Sequence, residues 1–286
     1  MHRKSVKTTI RSRLHWLAFI GLVAYATINI GCASCQRKMI YYPPHFTTEQ
    51  VDQAAKAAGF DRWYDSSGQV MGIKRPSLRQ PVVGSVLITY GNASWSVGCT
   101  HYADEIQQLA ALDVFVLEYP GYANRAGSPS QKTIFQAADM ALNTLGTNRP
   151  VYLVGESLGS GVASYLAGTH PGQIAGVILL SPFNSMTSVA QYHMPVLPVG
   201  LFLVDRYPSQ DYLRSYQGPV AIMVDGQDRV VPEKFGRRLY DCYTGPKQVW
   251  CFPDGNHICI MEPPTKFWSE VLDFWGTNQV LKEDKR

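Results

Sequence analysis

The sequence lacks the patterns that mark several common functional classes. It has no phosphate-binding glycine loop and no dinucleotide-binding fingerprint, and it has no internal repeat or low-complexity tract. Charged residues make up 17% of the chain, and no run of like charge interrupts its body. We therefore expect a globular protein without a cofactor.

Positive charge is concentrated at the start of the chain. The formal net charge is +4, but residues 1–31 carry five basic residues and no acidic one. The remainder holds 21 basic and 22 acidic residues. Because this remainder is nearly neutral, it offers no basic surface for nucleic acid, and no nucleic-acid partner is expected.

An apolar stretch, residues 14–30, follows the basic start and ends in Gly31-Cys32-Ala33-Ser34-Cys35. A basic start, an apolar middle and small residues at the end are typical of a secretory signal. Small residues before a cysteine make Cys32 and Cys35 candidates for lipidation, as in bacterial lipoproteins. The alternative is an uncleaved membrane anchor, since 17 mostly apolar residues lie at the short limit for a spanning helix. Both interpretations predict that residues 1–35 hold the protein at the extracytoplasmic face of a membrane, the periplasmic face in a Gram-negative bacterium.

Apolar runs alternate with helical patterns through residues 36–286, which predicts one α/β domain with a mostly parallel sheet and helices on both faces. An apolar content of 45% is enough for one large core. The predicted strands are residues 62–65, 69–75, 82–89, 114–118, 151–154, 177–180, 220–224 and 248–252, and the first two form a hairpin. Residues 183–217 form a short lid, which is either an apolar roof over a cleft or a crossover that packs on its own core.

The most informative motif is Gly155-Glu156-Ser157-Leu158-Gly159, which follows the apolar run at 151–154 and begins a segment of small residues. This order predicts a strand, a sharp turn and a helix, with Ser157 strained at the carboxyl end of the sheet. Backbone N–H groups at the start of that helix face any negative charge that develops beside the serine. The alternative is a glycine-rich turn whose serine only caps the helix.

A nucleophilic serine needs a base and a group that orients the base, and both follow predicted strands. Asp228 lies on the loop after residues 220–224, and His257 lies on the loop after residues 248–252. Parallel strands gather these loops at one edge of a sheet, so we expect Ser157, Asp228 and His257 to converge. Taken singly, the aspartate is typical of a turn and the histidine of a surface loop. Their order after three strands favours a catalytic triad.

Five segments resemble the α/β-hydrolase superfamily: residues 90–94 (YGNAS), 118–122 (EYPGY), 155–159 (GESLG), 228–232 (DRVVP) and 255–257 (GNH). The resemblance covers about residues 41–275 and is greatest to the small-lid, membrane-associated serine hydrolases. That branch is described as serine-aminopeptidase-like and includes esterases and depalmitoylases. The resemblance implies an α/β-hydrolase fold whose oxyanion hole uses the backbone N–H of Asn92, or of Ala93, and that of Leu158. Two positions differ from the family pattern. The family often has histidine where this chain has Tyr90, and aspartate where it has Glu118.

The resemblance predicts a serine hydrolase that cleaves esters or thioesters of a small acyl or acylated substrate through an acyl-enzyme. An aminopeptidase or amidase of the same fold is one alternative, which an acidic patch for a substrate ammonium would favour. A membrane-tethered, inactive binding protein is the other, and the complete triad argues against it.

Cysteines support neither a nucleophile nor a metal site. None follows a strand at a sharp turn, and His257 is better explained as a base than as a metal ligand beside Cys251 and Cys259. Four cysteines lie beyond the N-terminal segment: Cys99, Cys242, Cys251 and Cys259. In an exported domain they allow disulfides, with three connectivities that the sequence does not separate.

Overall fold

The computed structural model describes residue 16, residues 33–257 and residues 264–276. The chain divides into two compact units, Met1–Ile40 and Tyr41–Arg286. In the first unit, residues 33–40 are helical and Cys35 is exposed. None of the helices in the described ranges is long and apolar enough to cross a membrane. The predicted apolar segment at 14–30, apart from Trp16, and the candidate Cys32 lie outside the described residues.

The second unit is built around a mixed sheet. Its strands are β1 Asp61–Tyr64, β2 Val70–Arg75, β3 Gly84–Thr89, β4 Leu112–Leu117, β5 Val151–Glu156, β6 Ile174–Leu180, β7 Val220–Asp225 and β8 Lys247–Phe252. The described strands form one eight-stranded sheet in the order β1-β2-β4-β3-β5-β6-β7-β8. Strands β1 and β2 form an antiparallel hairpin, and β2 is antiparallel to β4. Strands β3 to β8 are parallel, so their carboxyl ends share one edge.

Helices precede, connect and follow these strands. They are α1 Thr48–Ala57, α2 Thr100–Leu109, α3 Gln131–Leu145, α4 Leu158–Thr169, α5 Met186–His193, α6 Val199–Phe202, α7 Ser209–Leu213, α8 Glu233–Cys242 and α9 Thr265–Phe274. A 3₁₀ turn, Ser96–Cys99, precedes α2. The predicted lid contains three short helices, α5 to α7, between β6 and β7. The last described helix, α9, ends at Phe274.

The sequence pattern explains why this core forms. All six residues of β3 and of β7 are buried, as expected for parallel strands that helices cover on both faces. At the start of α1, the Thr47 hydroxyl accepts from the N–H of Gln50, whose side chain accepts from the N–H of Thr47. The predicted α/β fold is confirmed, with strand ends that differ from the predicted ones by a few residues.

The described cysteines of the second unit are free thiols. Cys99 is buried, whereas Cys242 and Cys251 are exposed. Cys259 lies outside the described residues. The disulfides that the sequence allowed are therefore not formed among these three cysteines.

Candidate active site

Ser157 occupies a sharp turn between β5 and α4. Its φ is 48° and its ψ is −112°, a strained conformation for a residue with a side chain. The side chain forms no capping hydrogen bond with the helix, which argues against the alternative that Ser157 is only a helix cap. The residue is 7% exposed, so the neighbouring loops cover most of the turn.

Two glycines permit this turn. A Cβ added to Gly155 would lie 2.6 Å from the carbonyl oxygen of Gly159, and one added to Gly159 would lie 2.2 Å from the carbonyl oxygen of Thr89. Neither distance is compatible with a side chain. The first glycine lets the strand and helix pass closely, and the second lets the helix start against β3.

The start of α4 and the loop after β3 carry the predicted oxyanion donors. Leu158 is the first residue of α4, so its N–H has no partner within the helix. In the β3 loop, Ala93 has a φ of 58°, and its N–H donates to Asn92 Oδ1 at 2.9 Å. This contact engages the N–H of Ala93, one of the two candidates for the second donor.

Asp228 and His257 are in direct contact. Asp228 Oδ2 lies 2.7 Å from His257 Nδ1. The other carboxylate oxygen, Oδ1, accepts from the N–H groups of Val230 and Val231, both at 2.8 Å. The Asp228 side chain is fully buried, whereas that of His257 is 23% exposed. The carboxylate is thus held in one orientation against the ring, which is the arrangement that fixes a histidine tautomer.

Backbone hydrogen bonds join the loops that carry these two residues. The N–H of Gly226 donates to the carbonyl of Phe252 at 2.9 Å, and the N–H of Gln227 donates to the carbonyl of Gly255 at 2.8 Å. A Cβ on Gly255 would lie 2.1 Å from Asp225 Oδ1. A larger residue at position 255 would therefore have to displace the Asp225 carboxylate.

The structure places Ser157, Asp228 and His257 on loops at the same edge of the sheet. The hydrogen bonds of the described residues include the contact between Asp228 and His257 but none between Ser157 and His257. Contacts of this kind often shorten only when substrate binds.

A second carboxylate, Asp225, lies at the end of β7. Its Oδ2 accepts from the Ser181 hydroxyl at 3.1 Å, and Ser181 has a φ of 41° at the end of β6. Burial, with a further contribution from the charge of Asp228, raises the pKa of Asp225 to about 6. Asp228 contacts His257, whereas Asp225 is tied to Ser181. No local sequence pattern predicts the contact between Asp225 and Ser181.

Glu156, the residue before the serine, faces the β3 loop. Its Oε2 accepts from the Tyr102 hydroxyl at 3.2 Å. A Cβ on Gly91 would lie 2.6 Å from Glu156 Oε1, so the Glu156 side chain would have to shift to admit a larger residue there. Burial raises the pKa of the Glu156 carboxyl, and the nearby charge of His257 lowers it by a smaller amount.

The two departures from the family pattern contact each other. The hydroxyl of Tyr90 donates to Oε1 of Glu118, and Oε2 of Glu118 accepts from the Ser96 hydroxyl at 2.7 Å and from its N–H at 3.1 Å. Both Tyr90 and Glu118 are fully buried, and burial raises the pKa of the carboxyl. The tyrosine therefore supplies a hydrogen-bond donor to the buried carboxyl of Glu118 behind the β3 loop. In the sequence, the contact between Tyr90 and Glu118 was indicated only by the fact that both residues differ from the family pattern.

The predicted lid segment, residues 183–217, contacts the loop that carries Asp228. His193 Nε2 lies 2.9 Å from the carbonyl oxygen of Val230, and the rings of Tyr192 and Phe235 are 5.9 Å apart. Several apolar side chains of the lid are exposed: Val196, Leu197, Leu201 and Phe202. Across the part of the chain that the structure describes, no three His, Cys, Asp or Glu side chains are grouped to hold a metal ion.

Comparison with known proteins gives the family. Residues 84–208 match the family model of the alpha/beta hydrolase fold. An uncharacterized protein of Mycobacterium tuberculosis (strain CDC 1551 / Oshkosh) is 30% identical over 250 residues, which are 84% of this chain and 86% of that protein. An uncharacterized membrane protein of Saccharomyces cerevisiae is 32% identical over 172 residues, which are 57% of this chain and 60% of that protein.

Solved structures agree with this match at the level of the fold. An esterase from Pyrococcus furiosus has a TM-score of 0.59 and 14% identity, and the match covers 83% of this chain and 97% of the esterase. The strand order of the sheet, the sharp turn at Ser157 and the sequence relatives together define the class of protein. The chain belongs to the α/β-hydrolase superfamily.

Proposed function

We propose that the protein is a serine hydrolase that cleaves carboxylic esters or thioesters through an acyl-enzyme intermediate. The observation that carries the proposal is the 2.7 Å contact between Asp228 and His257 at the sheet edge where the strained Ser157 turn lies. Each group has the environment that its role requires. The serine lies in a strained backbone turn, the described hydrogen bond of the histidine uses Nδ1, and the buried aspartate has hydrogen bonds to both of its oxygens.

In the proposed reaction, Ser157 Oγ attacks the acyl carbonyl while His257 takes its proton. Asp228 holds Nδ1–H of the ring and offsets the imidazolium charge. The oxyanion is stabilised by the N–H groups of Asn92 and Leu158. His257 then protonates the leaving alcohol or thiol, and water, activated by the same histidine, hydrolyses the acyl-enzyme.

We also propose that residues 1–35 hold the enzyme at the extracytoplasmic face of a membrane. The basic start and the apolar segment at 14–30 support this. The name of the yeast relative, a membrane protein, is consistent with it. A lipid-borne or exported acyl group would then be the natural type of substrate.

A substrate panel with an active-site probe tests the function. The full-length protein is assayed with acyl esters, acyl thioesters and peptide amides, and it is treated with a fluorophosphonate probe. We expect labelling at one serine, with ester or thioester turnover well above amide turnover. Labelling with amide turnover dominant would instead identify an amidase, and the absence of both labelling and turnover would contradict the proposal.

A further inference from the structure

The first residues of the second unit run directly against the proposed oxyanion loop. We define the strap as residues 41–46, which follow residues 33–40 of the first unit, and the oxyanion loop as residues 91–95. We propose that the strap is a positioning element of the active site, because its backbone fixes the Asn92 side chain and so aims the Asn92 N–H. This inference rests on the proposed function, which assigns that N–H to the oxyanion hole.

The Asn92 amide oxygen is the centre of the contact. Three donors surround this single atom: the N–H of Tyr42 at 2.9 Å, the N–H of Ala93 at 2.9 Å and the hydroxyl of Tyr122 at 2.8 Å. A carbonyl oxygen has two lone pairs, so three close donors leave the side chain little freedom to rotate. One donor comes from the loop itself, one from the strap and one from the segment after β4.

Further contacts hold the strap in place. The N–H of Ala123 donates to the carbonyl of Pro44 at 2.8 Å, and the N–H of Phe46 donates to the carbonyl of Ala123 at 3.2 Å. The ring of Phe46 packs on that of Trp95, with 4.3 Å between centroids. The strap therefore contacts both ends of the oxyanion loop and the segment that carries Tyr122.

The strap also reaches the end of the lid. The Tyr41 hydroxyl donates to Asp205 Oδ2 at 3.0 Å and lies 2.9 Å from the Tyr207 hydroxyl. All three side chains are buried. Tyr207 has a φ of 40°, so this polar cluster holds the lid's return to the core in a strained turn. The strap thus contacts the lid through Tyr41 and the oxyanion loop through Tyr42 and Phe46.

Loss of the strap's N–H donor should affect the chemical step more than substrate binding. An oxyanion donor acts on charge that develops in the transition state, and removal of one donor costs about 10²- to 10³-fold in kcat. Loss of one of the three hydrogen bonds to Asn92 Oδ1 would change the direction of the Asn92 N–H but would not remove that N–H. We expect a smaller loss of kcat, on the order of 10- to 100-fold, with little change in KM.

The substitution Tyr42→Pro in the full-length protein isolates the contact, because proline has no N–H. Tyr42 precedes Pro43 and is therefore already biased towards extended backbone, which reduces the risk of misfolding. Tyr42 is 57% exposed. Tyr42→Ala keeps the N–H while it removes the same side chain, so it is the matched reference.

The measurement is kcat and KM for the best ester of the panel, with the melting temperature as a check on folding. We expect kcat of Tyr42→Pro to lie 10- to 100-fold below that of Tyr42→Ala, with KM values within about threefold. Tyr122→Phe removes another donor from the same oxygen and should lower kcat in the same way. It replaces the first variant if Tyr42→Pro does not fold.

Equal kcat values for folded Tyr42→Pro and Tyr42→Ala, or a change in KM alone, would overturn the inference. So would an unchanged kcat in Tyr122→Phe. The wild type separates this failure from failure of the proposed function. If it is labelled at Ser157 and hydrolyses esters while the variants keep their kcat, only the role of the strap is wrong. If it shows neither labelling nor turnover, the proposed function is wrong and the inference falls with it.

Discussion

Replacement of each carboxylate on the loop after β7 tests which one serves the histidine. Asp228→Asn keeps an oxygen that accepts from the N–H groups of Val230 and Val231, so the loop should stay folded. In the wild type, His257 Nδ1 lies 2.7 Å from a carboxylate oxygen of Asp228. In the variant, the amide nitrogen takes the place of that oxygen and donates to Nδ1, which stabilises the tautomer with its proton on Nε2. In a serine protease this change costs about 10⁴-fold in kcat, or about 5 kcal/mol of transition-state stabilisation.

Asp225→Asn is the matched control. Its oxygen still accepts from the Ser181 hydroxyl, and among the described hydrogen bonds the one to the His257 ring comes from Asp228 rather than from Asp225. We expect a loss below about tenfold, so the two variants should differ by about 10³-fold in kcat. The assay is ester hydrolysis at pH 8 with enzyme concentration fixed by probe labelling. Equal losses, or a larger loss in Asp225→Asn, would refute the assignment of Asp228.

Three further predictions concern stability, pH and location. Gly159→Ala should lower the free energy of unfolding by about 3 kcal/mol or more in denaturant titrations, because the added Cβ would meet the Thr89 backbone; Gly172→Ala, with nothing within 4 Å of its added Cβ, should change it little. The raised pKa of Asp225, about 6, means that the folded protein binds this proton more tightly than the unfolded chain, so this stabilising contribution is lost as pH rises from about 4 through 6. Asp225→Asn should therefore be more stable relative to wild type at pH 8 than at pH 4, by up to about 3 kcal/mol in denaturant titrations; a pH-independent difference would contradict this. The full-length protein should fractionate with membranes, and intact mass should show either lipid on Cys32 or Cys35 or a retained N-terminus, whereas a chain that begins at Gln36 should be soluble and active. A soluble cytoplasmic protein with its N-terminus intact would contradict both modes of anchoring.

Local patterns were sufficient to predict the central part of the fold. The sequence around Ser157 combines an apolar strand with two glycines at the positions where a Cβ would collide with backbone, so the turn follows from sterics alone. Asp228 and His257 were predictable because each directly follows an apolar strand. Parallel strands bring such loops to one edge whatever their separation along the chain.

Contacts between distant segments could not be predicted in this way. The hydrogen bond from Tyr42 to Asn92 joins residues 50 positions apart, and that from Tyr41 to Asp205 joins residues 164 positions apart. Neither hydrogen bond is marked by a local sequence pattern, because the first uses a backbone N–H, which every residue except proline has, and the second uses a single buried tyrosine. Similarly, the role of Asp225 depends on Ser181 at the end of a neighbouring strand.

The central claim is that Ser157 is the nucleophile, and Ser157→Ala tests it most directly. Turnover of the best ester and covalent labelling by the fluorophosphonate probe are measured in wild type and variant, with circular dichroism to compare their folds. We expect the wild type to gain the probe mass on the peptide that contains Ser157, and the folded variant to show no labelling and a loss of turnover on the order of a millionfold. A folded variant that keeps more than about a tenth of wild-type turnover, or a probe mass on another residue, would contradict the account.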